Sequence, residues 1–123
     1  MILRDGTVVP KIVIAIGRME GEFASLPLPD RPQRDHNPGD IEYGNWAIRH
    51  GALRGDPRFG VWPDDDGGWH ALIDLLREEY SNLTITELVA KYAPAVENDD
   101  NIYVRNMCAW IPAKPTDLVS QYL

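Results

Sequence analysis

A lone cysteine, Cys108, in a chain of 123 residues has no partner for an internal disulfide and offers no thiolate cluster for zinc. Cations are scarce as well: 12 Lys and Arg stand against 19 Asp and Glu, a formal charge of -7. Nucleic acid is therefore not an expected partner, because neutralising phosphates takes a basic face. An anionic membrane surface offers no attraction either. Long apolar runs are missing, since Lys11-Ile-Val-Ile-Ala-Ile-Gly17 is far too short to span a bilayer. No signal peptide is read at the start, where Arg4, Asp5 and Lys11 interrupt any apolar stretch, so the chain is expected to be cytoplasmic as synthesised. His36, His50 and His70 lack metal-ligand spacing, and the run Asp64-Asp65-Asp66 lacks the glycine placement of a calcium loop. No nucleophile elbow and no phosphate-binding Gly-Lys-Ser/Thr signature occurs. Neither metal nor cofactor is expected.

What is present is an ordinary globular balance, 44% hydrophobic and 25% charged, in a length suited to one domain over residues 1–123. A first helix is predicted from about Val8 to Glu22, with Pro10 early and Ile12, Ile16, Met19 and Phe23 on one face. Gly21 weakens it, and Leu26-Pro-Leu-Pro-Asp-Arg-Pro32 ends it. From Gln33 to Gly68, Gly and Pro recur too often for a helix of normal length. Ile41–Tyr43 and Phe59–Trp62 are the best strand candidates and suggest a small hairpin.

The remainder reads as helix. Trp69, Leu72, Ile73, Leu76 and Tyr80 form one stripe in a helix starting near Gly67. Thr84-Ile-Thr-Glu87 is a capping box for a helix running to Tyr92, stopped by Pro94. Asn98 is predicted to cap a fourth helix with Tyr103, Val104, Met107, Cys108 and Ile111 on one side. Pro115-Thr116-Asp117 opens a short last helix. The expected fold class is α+β, mostly helical, with a short β-hairpin after the first helix.

Two acids near the end of the first helix differ in their neighbours. Glu22 follows Arg18 by four residues, which predicts an exposed ion pair. Glu20 lies beside Ile16 and Phe23 at the edge of the apolar stripe. Lost solvation there holds a carboxyl in its acid form to higher pH, as a general acid requires. A second candidate region is Arg34-Asp-His-Asn-Pro-Gly-Asp-Ile-Glu-Tyr-Gly44. Its Asn37-Pro38-Gly39 is a tight-turn sequence, and Asn37 with nearby backbone amides could present hydrogen bonds to a polar ligand. Glu42 and Tyr43 would alternate across the strand. Tyr92 and Asn98 have simple structural readings, as a core residue and a helix cap. Cys108 reads as an inert buried thiol.

The order of these pieces resembles a lysozyme-like family of bacteriophages and prophages, similar to lytic transglycosylases and muramidases. Glu20-Gly21 closes the first helix, and Asn37-Pro-Gly-Asp-Ile-Glu-Tyr-Gly44 follows a Pro-rich spacer. Phe59-Gly-Val-Trp62, Gly68-Trp-His-Ala-Leu72, Tyr92-Ala-Pro94, Glu97-Asn-Asp99 and Tyr103 continue the likeness over roughly residues 12 to 105. The family has Asn where Asp35, His36 and Asp40 stand here. The resemblance implies a small lysozyme-like domain with Glu20 as general acid in a cleft between helices and hairpin. It also implies Asn37, Gly39, Glu42, Tyr43, Tyr92 and Asn98 around the substrate. The implied partner is peptidoglycan or a related amino-sugar glycan, met after release from the cell or from a virion. Transglycosylases of this kind need no second carboxylate. Were there one, Glu42, Asp56 and Asp64–Asp66 are the candidates, although the last three suit a helix start better. The other function considered is a non-catalytic phage structural or glycan-binding protein on the same scaffold.

Overall fold

The computed structural model describes residues 1–25 and 29–123. The first helix, α1 (Lys11–Glu20), is shorter than the apolar spacing predicts, because Pro10 stands at its N-cap and Gly21 closes it. Gly21 takes the left-handed conformation, φ 104°. The amides of Gly21 and Glu22 both return to the Gly17 carbonyl, which satisfies the end of the helix. Glycine at this position is thus the stop signal and not a weak point within the helix. Phe23 consequently lies beyond α1, partly exposed and stacked on Trp69. Of the proline-rich stretch expected to end the helix, Leu26–Leu28 lie outside the described residues.

Two short helices occupy the region read as loop and strand: α2 (Arg31–Arg34) and α3 (Asn45–Arg49). The hairpin is also paired differently. Strand β1 (Arg54–Asp56) runs antiparallel to β2 (Phe59–Val61), and Ile41–Tyr43 supplies only a single bridge, Glu42 to Phe59. A tight connection at Pro57 and Arg58 lets neighbouring segments pair, even though Arg54-Gly55-Asp56 has no strand-forming side chain.

Helix α4 (Asp65–Glu79) begins two residues before Gly67, and the Asp64 side chain accepts from the Gly67 amide as its cap. Arg4 also pairs with Asp64 and Asp66, so the acidic run is structural. Helix α5 (Ile85–Tyr92) starts with the predicted capping box: Thr84 Oγ1 accepts from the Glu87 amide at 3.1 Å and Glu87 accepts from the Thr84 amide at 2.9 Å. Helix α6 (Asp100–Trp110) is capped by Asp99, not Asn98. The predicted last helix is a turn at Pro115–Asp117 followed by a single 3-10 turn, Val119–Tyr122. The fold class is α+β and mainly helical, with its hairpin after α1. Ile12, Ile16, Leu72, Leu76, Leu88, Val89 and Met107 are fully buried and join α1, α4, α5 and α6 in one core.

Candidate active site

A cleft of about 550 Å³ opens between two walls. One wall is the end of α5 with the following loop, including Tyr92, Glu97 and Asn98. The other is formed by Asp40–Glu42 together with Arg58 and Phe59 of the hairpin. Glu20, the last residue of α1, lies between them. Burial pushes its carboxyl up to about 7, against a Tyr103 hydrogen bond that acts in the opposite direction. That bond joins the Tyr103 hydroxyl to Glu20 Oε2 at 2.9 Å. Tyr103 is 1% exposed, so its ring belongs to the core of α6 while its hydroxyl serves the acid. The sequence contains this signal in weak form, because a tyrosine on a buried stripe needs a polar partner.

Glu22 does not make the predicted ion pair. Arg18 instead stacks over Trp110, 4.7 Å from the ring centroid. The Glu22 backbone has left the helix, and Glu22 Oε2 is buried without a hydrogen-bond partner among the described residues. Burial first, then the charge of Asp65, pushes this carboxyl to about 7 as well.

The residues expected around the substrate divide into two groups. Glu42, Tyr92 and Asn98 line the cleft; Asn37, Gly39 and Tyr43 do not. Asn37 is fully buried: its amide donates to the carbonyls of Ile41 and Gly60 and accepts from the Ile41 amide, each at 2.9 Å. One side chain thus satisfies the Ile41 amide and the Gly60 carbonyl, and adds a second bond to the Ile41 carbonyl, which already accepts from the Gly60 amide at 2.9 Å, a structural task. Gly39 is buried beneath Tyr92, whose hydroxyl donates to the Gly39 carbonyl. A Cβ at Gly39 would stand 2.5 Å from that hydroxyl and 2.6 Å from Leu72, so the close approach requires glycine. Tyr43 is exposed and packs toward Gly55. Asn98 reaches the Pro94 carbonyl at 3.4 Å.

At the mouth of the cleft, Arg58 pairs with Glu42 at 2.8 Å and Glu97 at 3.4 Å, joining the two walls. All three side chains are more than half exposed, so the strap contributes at most about 1 kcal/mol and can yield to a ligand. Asp56, one of the acids considered for a second carboxylate, lies outside the cleft. It pairs with Arg34 at 2.8 Å and hydrogen-bonds the buried Asp35, which lowers Asp56 while burial raises Asp35. Asp40, which the sequence marks only as a departure from Asn in the turn, meets Arg31 in the cleft through two hydrogen bonds of 3.0 and 2.6 Å. Their separation of nine residues matches no helical or strand period.

Chemically, the arrangement offers a proton held on a desolvated carboxyl, polar groups on both sides and the aromatic rings of Tyr92 and Phe59. Among the described residues no cluster of His, Cys, Asp and Glu is suited to hold a metal ion. No family model, curated protein or solved structure matches the chain.

Proposed function

We propose that this protein is a peptidoglycan-cleaving glycosidase on a lysozyme-like scaffold, with Glu20 as the general acid for the β-1,4 bond between amino sugars. The observation that carries the reading is Glu20 itself: a carboxyl with a value of about 7, at a helix end, inside a cleft sized for sugar rings. A general acid works best when its value lies near the working pH. The Tyr103 hydroxyl engages Oε2, which leaves Oε1 to carry the proton toward the glycosidic oxygen. The ring of Tyr92 suits stacking on a sugar face, and Asn98 suits an acetamido group. The resemblance of Glu20-Gly21 and Asn37-Pro-Gly-Asp-Ile41 to phage and prophage muramidases and transglycosylases points the same way. It also implies an encounter with the wall after release from the cell or from a virion.

One observation favours a second reading. The charge of -7 repels an anionic cell-wall polymer and slows its approach. A phage structural protein that kept the scaffold, or one that binds an uncharged glycan, would carry that charge without penalty. Incubation with purified peptidoglycan followed by mass spectrometry separates the two. Reducing-end or anhydro-muropeptides are the expected result; binding with no released product would overturn the enzyme in favour of the binding protein.

A further inference from the structure

We propose that Asp40 is a second catalytic carboxylate, the group that takes the proton of an attacking water and makes the cleavage hydrolytic. The inference rests on the glycosidase reading above and deepens it.

Asp40 shares the cleft with Glu20 and is held from every side. Its side chain is only 8% exposed. Arg31 grips both carboxylate oxygens, Nε to Oδ1 at 3.0 Å and Nη2 to Oδ2 at 2.6 Å. The same guanidinium lies over the Phe59 ring, 3.8 Å from its centroid, which fixes the pair against β2. The Asp40 backbone sits at φ 51°, a left-handed conformation uncommon outside glycine and most tolerable for Asn and Asp. Next to it, the Gly39 carbonyl is tied to the Tyr92 hydroxyl on α5. Strained backbone held by several independent contacts is characteristic of functional positions. The other acids of the cleft lack this support: Glu42 and Glu97 are exposed at its mouth and bound to Arg58.

The charges suit a division of labour. A carboxylate has about four lone-pair positions, of which Arg31 occupies two, leaving room for a water. Glu20 stands nearby as the acid, and the negative charge of Asp40 favours its protonated form. Glu20 gives its proton to the glycosidic oxygen, and the bond from that oxygen to the sugar carbon breaks with its electron pair on the oxygen. The water oxygen bonds to the carbon and its proton passes to Asp40. One water is consumed, one reducing end appears, and solvent returns the proton from Asp40 to Glu20.

The test is digestion of peptidoglycan in ¹⁸O-water by the wild type, Asp40→Asn and Asp40→Gly, read by mass spectrometry, with circular dichroism for folding. Asn and Gly both accept φ 51°. The wild type is expected to give reducing ends carrying ¹⁸O. Asp40→Asn should lose about a hundredfold or more of that product, with anhydro ends rising as a share of the remainder. Azide added to Asp40→Gly should replace the missing anion and appear as glycosyl azide. Hydrolysis at the wild-type rate by either folded variant, or anhydro products alone from the wild type, would overturn the role of Asp40 while leaving the glycosidase reading intact. No muropeptide from the wild type would overturn that reading, and this inference with it.

Discussion

Glu20 and Glu22 stand on either side of Gly21, and burial raises both carboxyls to about 7. They differ in what surrounds them. Glu20 has a phenol on one oxygen, a cleft in front and an Asp–Arg pair sharing it. Glu22 has a buried oxygen with no donor among the described residues, and the charge of Asp65 beside it. A raised value therefore records desolvation and does not by itself identify a catalytic acid. What separates the two is access to a cleft and a neighbour that fixes the proton's position.

The sharpest way to break this comparison is Glu20→Gln against Glu22→Gln. Glu20→Gln removes the proton donor at nearly constant size, so muropeptide release should fall by about a hundredfold or more. Glu22→Gln should retain wild-type turnover. Equal losses in two folded variants would dissolve the distinction. The wall opposite the α5 wall can be broken separately. Asn37→Ala strands two backbone groups, the Ile41 amide and the Gly60 carbonyl, at a cost of about 2 kcal/mol or more. Its thermal midpoint should fall steeply, and an unchanged midpoint would mean that the turn holds without the amide.

Stability against pH sharpens the same contrast. The folded value of Glu20, about 7, lies above its ordinary 4.5, so the folded state holds the proton more tightly. The associated stabilisation is complete below about pH 4.5 and is lost as pH rises through 7, by up to about 3 kcal/mol. Denaturant melts of Glu20→Gln should thus show a more stable protein than the wild type at pH 8 and near parity at pH 4. Glu22→Gln should follow the same sign with a smaller gain, about 1 kcal/mol, since half of the group meets solvent that screens it. Stabilisation with lost activity in the first variant and kept activity in the second would separate chemistry from burial. The smallest effect belongs to Cys108, a thiol also raised by burial but lying outside the cleft. Cys108→Ala should keep glycan cleavage and change stability by about 1 kcal/mol; a folded but inactive variant would point to a cysteine mechanism.

The helical half of the molecule was legible because its signals are local and repeated. The stripe from Trp69 to Tyr80 is buried as its spacing predicts, and Thr84 with Glu87 forms the expected cap. In the hairpin half β2 was legible and its partner was not, because strands of three residues carry too few alternations to show a period, and Arg54–Asp56 pairs through its backbone alone. Asn37 misled for a related reason. A turn-forming amide looks the same in sequence whether it faces a ligand or fills the gap behind a short strand. The ion pair expected of Arg18 and Glu22 assumed a helix that Gly21 had already ended. Asp40 and Arg31 meet only because α2 and the following left-handed turn fold back on each other, which no residue spacing announces.

The bond between Tyr103 and Glu20 spans 83 positions of the chain, and that between Tyr92 and Gly39 spans 53. Contacts of such separation form late, since the intervening chain must be ordered first. A polypeptide still leaving the ribosome holds α1 and its acid well before residue 103 has emerged, but has no phenol to orient it and no far wall. The proposed site is therefore assembled only when the core closes around residues 92 and 103.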